Sequence, residues 1–576
     1  MAEMDVDIVG VGFGPAMGGF LTTLAPALTE FAIPPQVVCY ERADGLGFGV
    51  SGAVTRARGI RHSFPNIDLS QIPMATPVGQ EKVVYLFDPF GASRRPLSLR
   101  FSDAVTSVFA DRNLQAVELP WTPGFLRKHG GFLLSIGQFN QWVSEQLMQV
   151  GTVQVWPGMP VAEPIIEDHR VAGVRLAAQE GDEGMQIRAA LTVVADGPVG
   201  PIGRAIDSHF GTPPGFERVE WAVGTKMVID LPESVDLAPG TIIHTLGYPE
   251  PEIFGFFYVH PNHTASAGIF LPSWFQNPVR NSYRYLQHFI QHPYLWRYAK
   301  GGKLRSWGAK SILESGRRGE PWLVGNGYAR IGEGSGSTNV LTGSGVDEAW
   351  TTGAQLAEGV IELLRQNAPF TKENLDRAYV ERRRQSWLES ESRTAENARN
   401  GFHRGFITGL VGMALAGVTK GRLNVHSKAS NGDRPTIESY YGDRIPFDDI
   451  VDMLVECKLN ALPLHDHLMD RSGWPKVIYD GELLLSHQDA LLLGGKVQAA
   501  PNFADHIEFL DKERCIMCLA QSCVEICSGE AIIPDAEGGD IPLFDREKCV
   551  HCGACTWNCD NVALRAGGGG LHSAEN

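Results

Sequence analysis

From residue 6 the chain reads VDIVGVGFGPAMGGFLTTLAPAL: an apolar run, a glycine-rich break, then apolar positions at helical spacing. A short apolar run bounded by turn residues predicts a strand buried on both faces, and the stretch behind it predicts a helix. PQVVCYER (35–42), LTVVADGPVG (191–200) and FGFFYVH (254–260) repeat the buried-strand pattern. DDIVDMLVECKLNAL (448–462) carries apolar residues at three- and four-residue spacing and predicts an amphipathic helix with Cys457 in the core, as Cys39 is in the second strand. Residues 405–418, GFITGLVGMALAGV, are apolar but for Thr408. As a helix they reach about 21 Å, too short for the ~30 Å hydrocarbon core. Such a run is either a buried core helix or a segment dipping into one leaflet. The flanking Arg404, Lys420 and Arg422 suit the second reading, in which Leu410, Val411, Met413 and Leu415 would insert.

At 576 residues the chain exceeds one core and implies several domains. Fifty basic against sixty-six acidic residues leave a net charge of -16, which argues against nucleic acid. MAEMDVDIVG runs straight into a strand, with no secretory leader, so a reducing compartment is expected. That matters for the cysteines. Eight of ten fall near the C-terminus: Cys515, Cys518, Cys523 and Cys527 in CIMCLAQSCVEIC, and Cys549, Cys552, Cys555 and Cys559 in CVHCGACTWNC. Three thiolates from a tight C-x2-C-x2-C loop and a fourth from a remote cysteine suit a cubane iron–sulfur cluster. In two-cluster ferredoxins the last cysteine of each run ligates the other cluster, which pairs Cys515, Cys518, Cys523 with Cys559 and Cys549, Cys552, Cys555 with Cys527. Two zinc sites are the alternative reading, disfavoured by three cysteines within seven residues. Two details depart from the ferredoxin pattern: Asp560 follows the fourth cysteine where proline is common, and the first loop has two extra residues. His551, between two of these cysteines, is expected to tune a sulfur by hydrogen bonding.

The N-terminal strand–turn–helix is a dinucleotide-binding pattern, with the pyrophosphate at the helix N-terminus. Two registers are open. The one using Gly12 and Gly14, followed by Pro15 and Ala16, is preferred because VGFGPA resembles the VGAGPAG turn of flavoproteins; Met17 then replaces the third glycine, implying looser helix–strand packing. Glu41, 27 residues after Gly14 and next to Arg42, suits a carboxylate on the adenosine ribose. Asp196–Gly197 resembles the ADG segment of flavin monooxygenases and reductases. Residues 322–350 resemble their flavin-proximal GDA…NPLTGEGI segment, which places Gly325, Asn326, Thr342, Gly343, Gly345 and Val346 at the cofactor, with a helix N-terminus at the flavin ring. Three such motifs in order imply FAD.

A flavin domain followed by a ferredoxin module resembles the electron-transfer-flavoprotein:quinone oxidoreductases, here as a FixC-type flavoprotein fused to a FixX-type ferredoxin. Collinear stretches carry the resemblance: SGAVTRARGIRHSFPN with MATPV, GGFLLSIGQFNQWVSEQL, VQVWPG, IIHTLGYP with GFFYVH, and GGKLRSWGAKSI. The family usually has one cluster, matching Cys527, Cys549, Cys552 and Cys555, so the other quartet is a departure. The resemblance implies an α/β (α+β) fold. A Rossmann-like FAD domain spans 1–395, with an inserted quinone sheet at about 205–320. A membrane-dipping segment (396–425), a linker or clasp (426–500), a ferredoxin-like α+β module (501–567) and a disordered tail (568–576) follow. It also implies electron transfer from an electron-transfer flavoprotein through two 4Fe-4S clusters and FAD to a membrane quinone, at the cytoplasmic face of the membrane, as a peripheral or monotopic protein. No side chain is needed as nucleophile; Phe254, Phe256, Phe257 and Tyr258 are candidate quinone-pocket walls. Two rivals share the flavin motifs or the clusters: a geranylgeranyl-reductase-like enzyme acting on isoprenoid double bonds, and an electron-carrier subunit of a bifurcating complex.

Overall fold

A computed structural model describes residues 3–46, 52–178, 183–216, 220–425, 435–493, 497–498, 505–518, 521–537, 539–564 and 570–571. Two sheets organise the first 330 residues. In the first, Glu3–Val11 lies between Gln186–Val194 and Val37–Tyr40, parallel to both, with Val153–Trp156 outside the latter. Tyr328–Arg330 adds parallel to the far end of Gln186–Val194, and the antiparallel pair Val161–Glu167 and Arg170–Leu176 extends it. The inner strands are buried on both faces, as their unbroken apolar runs require. Helices Pro15–Leu28 and Val346–Arg365 cover one face and pack against each other closely. A Cβ on Gly19 would lie 2.3 Å from the Trp350 carbonyl oxygen, and one on Gly353 would lie 1.9 Å from that of Ala16, so only glycine permits this approach. The looser packing expected from the missing third glycine is not seen. Met17 is fully buried, with its methyl over Gly10, where a Cβ would lie 2.8 Å away.

The second sheet runs Lys303–Leu313, Trp221–Asp230, Thr264–Pro272, Phe254–His260, Ile242–Leu246, Glu81–Leu86, Ala116–Glu118. It is antiparallel except where Ile242–Leu246 meets Glu81–Leu86. Two of its strands thus come from the first 120 residues, so this sheet is not confined to the insertion expected at about 205–320. Alternation then splits the aromatic run: Phe257 joins the large core under helix Ser282–Ile290, while Phe256 and Tyr258 face the first domain.

Residues 435–493 are not an irregular linker. They form helices Ile437–Tyr441, Phe447–Leu459, His465–Arg471 and His487–Leu492, packed on the second sheet's helices through Val279, Ile450 and Leu468. Cys457 is buried there. Behind them the cysteine-rich segment pairs Ile507–Phe509 with Val562–Leu564 and Ile532–Ile533 with Leu543–Phe544, around the short helices Ser522–Glu525 and Ala554–Asn558. Of the tail, Gly570 and Leu571 pair antiparallel with Gln498 and Val497; the rest of 568–576 lies outside the described residues.

Candidate functional site

One cavity of about 480 Å³ lies where the first sheet's carboxyl ends, the second sheet and the cysteine-rich segment meet. The glycine turn forms its floor. Gly12 has a φ of 85°, and a Cβ there would lie 2.8 Å from the Ala195 carbonyl oxygen, so the turn needs glycine. Gly14 caps helix Pro15–Leu28 without a side-chain partner, and a Cβ on it would meet nothing within 4 Å. That leaves the helix N-terminus, with its unpaired N–H groups and positive dipole end, open to the cavity. Gly12, Gly14, Pro15, Ala16, Glu41 and Arg42 all line it. The Glu41 carboxylate accepts from the Phe13 N–H at 2.6 Å and the Ala43 N–H at 2.9 Å, which ties the second strand's end to the turn. Asp196 and Gly197 line the opposite wall, and the Asp196 carboxylate accepts from the Gly203 N–H at 2.9 Å, capping helix Pro201–Phe210.

Downstream the sequence reading needs correcting. Gly325 and Asn326 lie outside the cavity: they turn a hairpin at the sheet edge, and the Asn326 side chain accepts from the Lys372 N–H at 2.9 Å. The chain reaches the cavity one strand later, at Gly332 and Glu333, whose carboxylate accepts from the Leu313 N–H at 2.8 Å. GNG (325–327) and GEGSG (332–336) are similar glycine–polar strings, but only the second holds the acid. Gly343, Gly345 and Val346 line the cavity at the start of helix Val346–Arg365, whereas Thr342 turns its carbonyl to the Lys128 ammonium at 2.7 Å. Lys226 and Lys310, unremarked in the sequence, also face the cavity. Both are half-buried, and burial lowers the pKa of each to about 8. Lys226 donates to the Gly52 carbonyl at 2.9 Å.

Burial raises the Cys523 thiol together with Cys559, Cys518, Cys527 and Cys515, and raises the Cys555 thiol together with Cys552, Cys527, Cys549 and Cys523, so the two runs interleave. Among these neighbours Cys559, the last of the second run, bears most strongly on Cys523, while Cys527, the last of the first run, acts on Cys549 and Cys555 as well as on Cys523. Among the described residues, ring nitrogens of His506 and His551 and the Cys549 sulfur lie within 4.8 Å of one another. Cys518 is exposed, while Cys527, Cys552 and Cys555 are buried and line the cavity with Cys549. His551 Nε2 has no hydrogen-bond partner among the described residues, and it is the His551 backbone N–H that donates to Cys549 Sγ, at 3.4 Å. The ring that reaches Cys549 belongs to His506, with Nε2 at 3.2 Å from Sγ, a residue 43 positions upstream that sequence spacing gave no reason to pick.

Of the aromatic run, Phe256 and Tyr258 line the cavity, and Phe254 stacks edge-on against Phe402 at 5.7 Å. Phe402, Phe406 and Met413 form one apolar cluster with Leu99, Trp274 and Val340, the last also lining the cavity. Helix Phe406–Thr419 thus exposes Val411 and Leu415 but not Met413, which is buried, and it half-buries Leu410. A second helix, Leu97–Thr106, sits on the same cluster through Leu99 and turns out Leu97, Phe101 and Val105, followed by Val108 and Phe109. The i, i+4, i+8 spacing of Leu97, Phe101 and Val105 is legible in the sequence. Among the described residues no helix is long and apolar enough to cross a membrane.

Comparison with known proteins bears on this arrangement. A family model described as ETF-QO, ubiquinone-binding matches residues 221–312. The mitochondrial electron transfer flavoprotein-ubiquinone oxidoreductase of Dictyostelium discoideum is 28% identical over 71% of this chain and 67% of its own length. The probable electron transfer flavoprotein-ubiquinone oxidoreductase of Acinetobacter baylyi is 21% identical over 98% of both. A geranylgeranyl bacteriochlorophyll reductase-like structure from Thermoplasma acidophilum aligns with a TM-score of 0.51 at 17% identity, covering 79% of this chain and all of that one, a likeness of fold.

Proposed function

We propose that this oxidoreductase, of the electron-transfer-flavoprotein:ubiquinone oxidoreductase family, carries electrons from an electron-transfer flavoprotein through two 4Fe-4S clusters and FAD to a membrane quinone. The observation that carries this is the shared cavity: the glycine turn, the helix start at Gly345 and four cysteines of the crossed set line one space. When bound, FAD supplies an exchange between one- and two-electron transfers, and the clusters supply one-electron carriers between donor and flavin.

The residues fit these groups. Open helix N-termini at Gly14 and Gly345 suit the pyrophosphate and an anionic flavin ring. Glu41 holds the turn with both oxygens and keeps lone pairs for ribose hydroxyls, with Arg42 beside it. Glu333, at the start of GEGSG, takes the place expected of Asn326. Cys515, Cys518, Cys523 and Cys559 would hold one cluster, and Cys527, Cys549, Cys552 and Cys555 the other, each a set of four thiolates of the kind a four-iron body takes.

The quinone end follows from the second sheet and the apolar cluster. From the outward faces of the two surface helices, Phe406, Phe254 and Val340 lead inward as an apolar route suited to a prenyl tail, bordered by Arg399, which lies 5.7 Å from the Phe254 ring and pairs with Glu314. Phe256 and Tyr258 form the inner wall, and Lys226 offers a cation that can give up a proton near neutral pH. The helices at 97–106 and 406–419 would rest in one leaflet, with Arg100, Arg404, Lys420 and Arg422 exposed at headgroup level. Membrane residence on the cytoplasmic face belongs to this proposal.

Anaerobic purification tests it: one FAD, eight iron and eight acid-labile sulfide per chain, with quinone reduction by a reduced electron-transfer flavoprotein. Two zinc per chain, or no quinone turnover with the cofactors loaded, would refute it.

A further inference from the structure

We propose that the two clusters are unequal, the inner one on Cys527, Cys549, Cys552 and Cys555 having the higher reduction potential, with His506 as the side chain that sets it. The inference rests on the two-cluster reading above and goes beyond it by giving the electron a direction.

Adding an electron makes a cluster and its thiolates more negative, so hydrogen-bond donors and cations at the sulfurs favour the reduced state and raise the potential. The described residues distribute these unevenly. Cys527 Sγ accepts from the backbone N–H groups of Ala531 at 3.1 Å and Ile532 at 3.4 Å. Cys549 Sγ accepts from the His551 N–H and the His506 ring, and Cys552 from Ser528. The charges of Arg42, Lys310 and Arg204 act on Cys549, Cys552 and Cys555 respectively. At the outer quartet, among the described residues, the Asn561 amide reaches Cys515 Sγ at 3.0 Å and the carboxylate of Asp511 acts on the same sulfur. Burial works against the inner cluster, since a low dielectric disfavours the extra charge. The same low dielectric strengthens every donor and cation pointed at it, and the inner quartet has more of both.

His506 is placed to hold this bond. Its ring stacks on His551 with centroids 4.0 Å apart and 16° between planes, and it meets Phe544 edge-on at 5.1 Å. These contacts aim Nε2 at Cys549. A metal-bound thiolate carries no proton, so the imidazole donates. His506 and His551 both line the cavity, so the sulfur they dress faces the flavin site, while the exposed Cys518 marks the outer quartet as the side open to a donor. One electron entering outside and leaving inside then moves downhill between the clusters. His506 is a positioning residue: it acts on the electron through the sulfur.

An anaerobic redox titration of the full chain, followed by electron paramagnetic resonance, reads both clusters. Wild type should show two one-electron steps of different potential. His506→Leu should shift the higher step down and leave the lower unmoved; His506→Asn, which keeps a donor, should recover part of the shift. Asn561→Leu should move only the lower step. Arg204→Gln should also lower the higher step, and it carries the test if His506→Leu loads poorly. A higher step unmoved by both His506→Leu and Arg204→Gln, or a lower step that responds to them, overturns the proposal. Four iron in wild type instead of eight would sink the two-cluster reading itself, a result separate from any potential.

Discussion

Replacing Phe101 and Phe109 with serine separates a membrane surface from a buried core. Phe101 is 74% and Phe109 80% exposed, so neither supports the fold by packing. Complete burial of a phenylalanine side chain is worth up to about 3 kcal/mol, so transferring these exposed fractions into lipid contributes about 2 kcal/mol each. Losing both, about 4 kcal/mol, should lower partitioning onto vesicles roughly a thousandfold. Sedimentation with phospholipid vesicles measures this directly, with flavin and iron content and thermal midpoint as controls for folding. The expected result is an unchanged midpoint with vesicle binding nearly abolished and turnover with a long-tailed quinone reduced. A double variant that stays folded and still sediments with vesicles like wild type would refute the reasoning. Leu410 and Met413 could not serve here, because each packs into the cluster with Phe402 and Phe406.

Met413→Ala should instead lower stability by about 2–4 kcal/mol with no selective loss of vesicle binding, read by denaturant unfolding. Glu41→Ala should loosen the turn at Phe13 and weaken FAD retention through dialysis, with iron content unchanged. Cys518→Ser should reduce iron towards four per chain while FAD stays bound, measured by metal and flavin analysis. Lys128, 1% exposed, has its pKa lowered by burial to about 8 against 10.5 unfolded. Between these values the unfolded chain binds more protons, so native stability rises with pH. Lys128→Met lacks this term, so its stability relative to wild type should fall as pH goes from 8 to 10.5, as thermal melts across that range would show.

Local pattern was enough for several features. An apolar run ending in Gly12 and Gly14 can only be a buried strand feeding a helix start, because the spacing fixes which backbone atoms face a ligand. The proposal of two clusters rests on the cysteine quartets for the same reason: within each loop the chain is short enough that sequence distance is spatial distance. Where similar strings compete, sequence loses resolution. Gly325–Asn326 and Gly332–Glu333 read alike, and only the hairpin at Gly327 decides which reaches the cavity. Only the tertiary fold set His506 against Cys549, brought Lys226 and Lys310 to the cavity from the second sheet, and buried Met413 while leaving Phe101 and Phe109 outside. These depend on contacts between segments tens to hundreds of residues apart, which no local period encodes. An apolar run states that a helix must hide a face; which neighbours already hide it, and so which side chains remain for lipid, is settled only when the chain has closed on itself.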